Sequence, residues 1–160
     1  MTNSILDILR NPVAVSGFFA WFLAQGLKPL VSYISTRKWD WMLIINPGGM
    51  PSSHSALMTA VTTAIGLTIG WITPIYALSL AITGVVVYDA MGVRRQAGIQ
   101  ATRINKLVEE VFNKTASTED VIEQLKEIIG HSPTEAIGGA AFGFVMAMIV
   151  CQIMTGIPFG

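Results

Sequence analysis

The sequence contains a single cysteine, Cys151. An intramolecular disulfide cannot form, and a cysteine-rich zinc site is excluded. Charge is equally scarce, at 12% of the 160 residues, where a typical soluble domain carries about 25%. Lys and Arg together number 10, as do Asp and Glu, so the net charge is zero. No overall positive field points to nucleic acid as a partner. Histidine occurs at only two positions, His54 and His131. Hydrophobic residues, in contrast, make up 52% of the chain. That composition is too apolar for disorder and too poor in charge for a water-soluble globule of this length. It describes a membrane protein.

The sparse charges leave long apolar stretches from Pro12 to Ile34, Ala56 to Ile72, Ile75 to Val93, and Ala136 to the C-terminus. A helix needs roughly 20 residues to cross about 30 Å of hydrocarbon. The pattern therefore predicts an all-α integral-membrane bundle with about four transmembrane helices, forming a single membrane domain over residues 1–160. Lys28 and Pro29 interrupt the first stretch and predict a kink or an early exit from the bilayer. No small-residue cleavage site follows a short apolar core, so the first span is expected to stay in the mature protein. Four spans put segments 37–53 and 94–132 on one side of the membrane. Arg37, Lys38, Arg94, Arg95, Arg103, Lys106, Lys114 and Lys126 all fall there, with Arg10 on the other side. The positive-inside rule then predicts a cell-membrane protein whose basic side is cytoplasmic.

The 94–132 segment itself has helical periodicity. Ile104, Leu107, Val108, Val111 and Phe112 form one apolar stripe, and Val121, Ile122, Leu125, Ile128 and Ile129 form a second, with Gly130 as the stop. Two amphipathic helices are expected, lying on the membrane surface, over a site, or against a second subunit. Gly66-x-x-x-Gly70 and Gly139-x-x-x-Gly143 permit close helix approach, either inside the bundle or across a homodimer. Trp21, Trp39, Trp41 and Trp71 are candidate interfacial anchors. Asp89 is an acid near the end of an apolar span. Such a residue is costly there and serves either a site or an ion pair with Arg94 or Arg95 about one turn on.

The two histidines occupy parallel places, each where an apolar helix begins. His54 lies in Gly48-Gly49-Met50-Pro51-Ser52-Ser53-His54-Ser55, and His131 in Gly130-His131-Ser132-Pro133-Thr134-Glu135. Helix N-termini present free backbone N–H groups to anions, and glycine before the cap lets a bulky anion come close. Each piece also has a structural explanation. Ser52 or Ser53 can serve as an N-cap, and Ser132 through Glu135 reads as a capping box with proline at the first helical position. Both histidines nevertheless fall on the basic side.

Pro51-Ser52-Ser53-His54-Ser55 resembles the Pro-Ser-Gly-His motif of the type 2 phosphatidic acid phosphatases, a superfamily shared with vanadium haloperoxidases. The chain looks most like a small divergent branch labelled acid phosphatase/vanadium-dependent haloperoxidase-related. The resemblance extends through Ala24-Gln25 with Lys28, Thr36 to Trp41, Gly48 to Ala56, Tyr88 to Arg95, and Gly130-His131 followed by Pro133 and Glu135.

This resemblance implies a metal-independent, cofactor-free phosphatase acting on a lipid phosphate among membrane lipids. His131 would attack phosphorus, Glu135 would hold its imidazole in the reactive tautomer, and His54 would protonate the leaving alkoxide. Lys28, Arg37, Ser52, Ser53, Arg94 and Arg95 would bind the phosphoryl oxygens, with Asp89 in support. Phosphatidylglycerophosphate, phosphatidate and polyprenyl diphosphates fit such a site. Several features depart from the pattern. Lys38 instead of proline follows Arg37, Ser53 replaces the motif glycine, and an inserted segment separates Arg95 from His131. The alternative is a catalytically weakened membrane protein that binds phospholipid headgroups or a partner protein.

Overall fold

A computed structural model of the chain describes residues 5–45, 48–112 and 132–156. Its elements are helical throughout: α1 (Ile5–Leu9), α2 (Pro12–Thr36), a 3-10 turn (Trp41–Ile44), α3 (Ser53–Ile69), α4 (Pro74–Met91), α5 (Val93–Phe112) and α6 (Pro133–Thr155). Their boundaries follow local chemistry. Asn11, Ser52, Thr73 and Ser132 cap α2, α3, α4 and α6, each side chain accepting from a backbone N–H of the first turn. Three of these helices place proline just after the cap, where its missing N–H removes no helical bond. Gly70 and Gly156, both at positive φ, close α3 and α6.

The sense of each helix pair can be read from its contacts. Ser16 of α2 lies 3.8 Å from Cys151 of α6 in a hydroxyl–thiol contact, while Lys28 interacts with the Glu135 charge at the other end. Those two helices are antiparallel. Thr62 Oγ1 and Thr83 Oγ1 share a hydrogen bond of 2.8 Å between α3 and α4, and Thr83 also donates to the Met58 carbonyl at 3.2 Å. On α6, Gly139 faces Ser52 and Gly143 faces Ala56, one turn apart on both helices, so α3 and α6 run parallel. A Cβ at either glycine would collide with the carbonyl opposite. The Gly139-x-x-x-Gly143 face is thus filled by α3 of the same chain.

Helix α3 is the centre of the bundle, touching α2, α4 and α6. Ala56, Ala60 and Ala64 line its buried face with Ala20, Ala24, Ala147 and Cys151. Small side chains bring the backbones close, which is how helices associate where lipid is already apolar. Outward-facing residues are large and apolar, including Leu78, Ile82, Val85 and Phe144. A water-soluble protein would bury these; a membrane protein gives them to lipid.

Several expectations from sequence are refined. Among the described residues, three helical runs are long and apolar enough to cross a membrane: α2, the stretch Pro74–Val108 and α6. The expected fourth, α3, has 17 residues and a rise of about 26 Å, because Ser52 and Gly70 stop it at both ends. The kink predicted at Lys28-Pro29 is not an exit, since α2 continues through Pro29 to Thr36. Gly66 and Gly70 do not form a helix-pairing face. Gly66 makes room for the Trp71 ring, and Gly70 is the left-handed cap that turns the chain there. The first amphipathic helix of the 94–132 segment is α5, which touches α4; the second predicted stripe, Val121 to Ile129, lies outside the described residues.

Candidate active site

The N-termini of α3 and α6 meet at one end of the bundle. The Ser52 N–H donates to the Glu135 carbonyl at 3.0 Å, a contact possible only because Gly139 carries no side chain beside Ser52. Helices α3 and α6 therefore start at the same end.

The α3 start is preorganised by its own hydroxyls. Ser52 Oγ accepts from the Ser55 N–H at 3.3 Å and from the Ser55 hydroxyl at 3.2 Å. Ser52, Ser53 and Ser55 are buried, whereas His54 faces outward from the first turn. Gly48 and Gly49 enter this turn at φ 107° and 82°, ahead of a cis Met50–Pro51 bond. A Cβ at Gly49 would lie 3.7 Å from both Leu43 and the Lys28 stem, an ordinary contact. The requirement for glycine there is its left-handed backbone and not the space around it.

Lys28 is the unusual residue of the bundle. It is 1% exposed, on a membrane-spanning helix, with its stem against Gly49 and the Glu135 carboxylate as an electrostatic partner. A buried ammonium is retained only where it is paired or used. Glu135 has a second task. Its Oε2 accepts from the Ser132 N–H at 2.9 Å while Ser132 Oγ accepts from the Glu135 N–H at 3.3 Å, closing the expected capping box.

Other predicted site residues are placed differently. Arg37 is the exposed, left-handed C-cap of α2. It lies nine residues past Lys28, about 13 Å along the axis and half a turn around it. The structure does not bring these two cations together. Asp89 is half-buried in the last turn of α4. Arg94 and Arg95 open α5, with side chains outside the described set, and His131 lies outside the described residues.

Gln25 shares the family resemblance with Lys28, and its own role emerges from the structure. It sits one turn before Lys28, its Nε2 donates to the Ile44 carbonyl at 2.6 Å, and its buried Oε1 has no hydrogen-bond partner among the described residues. The Ile44 carbonyl fixes the amide orientation, because a flip would set two acceptors against each other. Pro29 lies four residues beyond Gln25 and offers no N–H to its backbone carbonyl. That proline was the sequence signal available for a polar spot on this face.

A buried lysine, a hydroxyl-lined helix start and an outward histidine at one end of a bundle suit an anionic group at the membrane boundary. Residues 9–146 match the Divergent PAP2 family. The chain belongs to that family. It is also 37% identical over 154 residues to "Uncharacterized membrane protein YuiD" of Bacillus subtilis (strain 168), covering 91% of this chain and 97% of that relative. No solved structure matches it. Family membership, the membrane-protein relative and the apolar helices together make this a membrane protein related to the phosphatidic acid phosphatases.

Proposed function

We propose that this member of the Divergent PAP2 family is a lipid-phosphate phosphatase working at the shared end of α3 and α6. The observation that carries the reading is the buried Lys28 beside Glu135 where Ser52 and Glu135 join the two helix starts. In the proposed reaction a ring nitrogen of His131 attacks phosphorus and the P–O ester bond breaks. His54 gives its proton to the departing oxygen, an alkoxide from a monoester or a phosphate oxygen from a diphosphate. Water then hydrolyses the phosphohistidine. Lys28, Ser52, Ser53 and the positive end of the α3 dipole would hold the phosphoryl oxygens, with Arg94 or Arg95 completing the clamp. Glu135 would orient His131 from its place in the capping box.

The substrate in this reading is a phosphomonoester or diphosphate on a hydrocarbon chain: phosphatidylglycerophosphate, phosphatidate or a polyprenyl diphosphate. The excess of bases in sequence segments 37–53 and 94–132 supports a cytoplasmic site, which suits lipids made on the inner leaflet.

Phosphate release from these lipids by the purified protein in detergent is the test. Activity that disappears in both His54→Ala and His131→Ala, with thermal unfolding unchanged, supports the enzyme. An intact protein that releases no phosphate from any of the three overturns it. Vanadate binding retained by that silent protein would favour a headgroup-binding protein built on the same site.

A further inference from the structure

The connection between α2 and the α3 start forms a surface the catalytic reading does not use. Tyr33, in the last turns of α2, stacks on Trp39 with ring centroids 4.5 Å apart and planes 15° apart, and Trp39 stacks on Trp41 at 5.3 Å and 7°. These rings are not buried: Trp39 is 51% exposed and Trp41 65%. Arg37 and Lys38 stand beside them, both exposed. Asp40, the acid of the segment, turns its carboxylate to the Met42 N–H at 3.0 Å to cap the 3-10 turn. Beyond it Met42 and Ile45 are exposed and apolar.

This order fits one environment. An aromatic stack at the end of a membrane-spanning helix lies at headgroup depth, where rings with a polar edge are favoured. The apolar turn after it reaches the acyl boundary. Two adjacent cations at the same level attract net-negative headgroups more strongly than zwitterionic ones, whose own cation offsets the phosphate. Arg37 also holds a left-handed backbone that glycine or asparagine adopts with less strain. The Gln25–Ile44 hydrogen bond fastens the turn to α2, so the segment is anchored and not a loose tether.

We propose that residues 37–45 form a binding site for the headgroup of an anionic phospholipid, with Arg37 and Lys38 as phosphate contacts and the Tyr33–Trp39–Trp41 stack as its wall. The site stands whether or not the protein turns over a lipid phosphate.

The test reads binding and not activity. A variant with Trp21→Phe and Trp71→Phe keeps Trp39 and Trp41 as its remaining indoles. It is reconstituted in phosphatidylcholine vesicles containing a minority of phosphatidylglycerol, with bromine near the headgroup end of the chains of one lipid or the other. Brominated phosphatidylglycerol is expected to quench about fivefold more, per mole fraction, than brominated phosphatidylcholine. R37Q/K38Q should abolish that preference. R103Q/K106Q, which removes the same charge from the exposed face of α5, should retain it. Equal quenching by the two carriers overturns the proposal, as does a preference that survives R37Q/K38Q. Should the Phe background fail to fold, the difference in quenching between the native chain and its Trp39→Phe/Trp41→Phe variant carries the same comparison.

Discussion

The starts of α3 and α6 look alike in sequence and differ in what they leave available. Both are serine-capped, both follow glycine, and they run parallel with one hydrogen bond joining them. At α6 the first turn is already served by an acid of its own, since Glu135 completes the capping box. At α3 the cap is neutral, the serines are buried, and the neighbouring charge is the Lys28 ammonium. Under the proposed function, an anion would approach the neutral cap of α3 and not the carboxylate in the first turn of α6. Two similar motifs thus differ in charge: the cap of one is neutral, and the first turn of the other holds an acid.

The largest disturbance to this pairing is steric. Gly143→Val drives a side chain into the Ala56 carbonyl and should destabilise the bundle by about 3 kcal/mol, measured by thermal unfolding in detergent. Gly26→Ala is the control. Nothing lies within 4 Å of a Cβ there, so it should hold or raise stability by up to about 1 kcal/mol. Equal losses at both sites would mean that α3 and α6 do not meet through their glycines.

Next comes the charge that distinguishes the two starts. Lys28→Met and Glu135→Gln should each destabilise the protein, and the double variant should lose less than their sum, with a coupling of about 2 kcal/mol. Glutamine can still fill the capping box, so Glu135→Gln tests the carboxylate charge and not the cap. Strict additivity would place the two groups in separate environments.

The smallest effects separate the caps themselves. Ser52→Ala and Ser132→Ala should each cost about 1 kcal/mol of stability. Only Ser52→Ala should also weaken vanadate binding, read by competition against a phosphate ester. Equal weakening in both variants would erase the distinction between the two helix starts.

What was legible in the sequence is mostly what is local. Ser52, Thr73-Pro74 and Ser132-Pro133 mark helix starts because capping is settled within four residues, and the capping box at Ser132 could be named before any coordinates. Apolar runs gave the helical membrane class for the same reason. Contacts between helices were harder. Gly66 and Gly139 sit in the same small-residue spacing, yet one serves an adjacent tryptophan and the other a second helix. Lys28 could be singled out as a charge in an apolar stretch, but its neighbour Glu135 comes from the far end of the chain. Arg37 matched a motif by type, and only the helix rise shows that it stands well above Lys28. Gln25 escaped because a glutamine carries no charge to notice; its significance lies in a carbonyl from the 3-10 turn.

The short central helix has one more consequence. At about 26 Å, α3 falls some 4 Å short of the hydrocarbon surrounding its neighbours. A bilayer meets hydrophobic mismatch by thinning or by tilt of the longer helices, and thinning at this end would bring water and glycerol backbones toward Ser52. Lys28 lies deeper than the rim, about 12 Å below the last turn of α2. Under the proposed function, a phosphate tethered to a chain already in the leaflet would enter this dimple sideways, whereas a dissolved phosphate ester would first have to cross the crowd of headgroups above it.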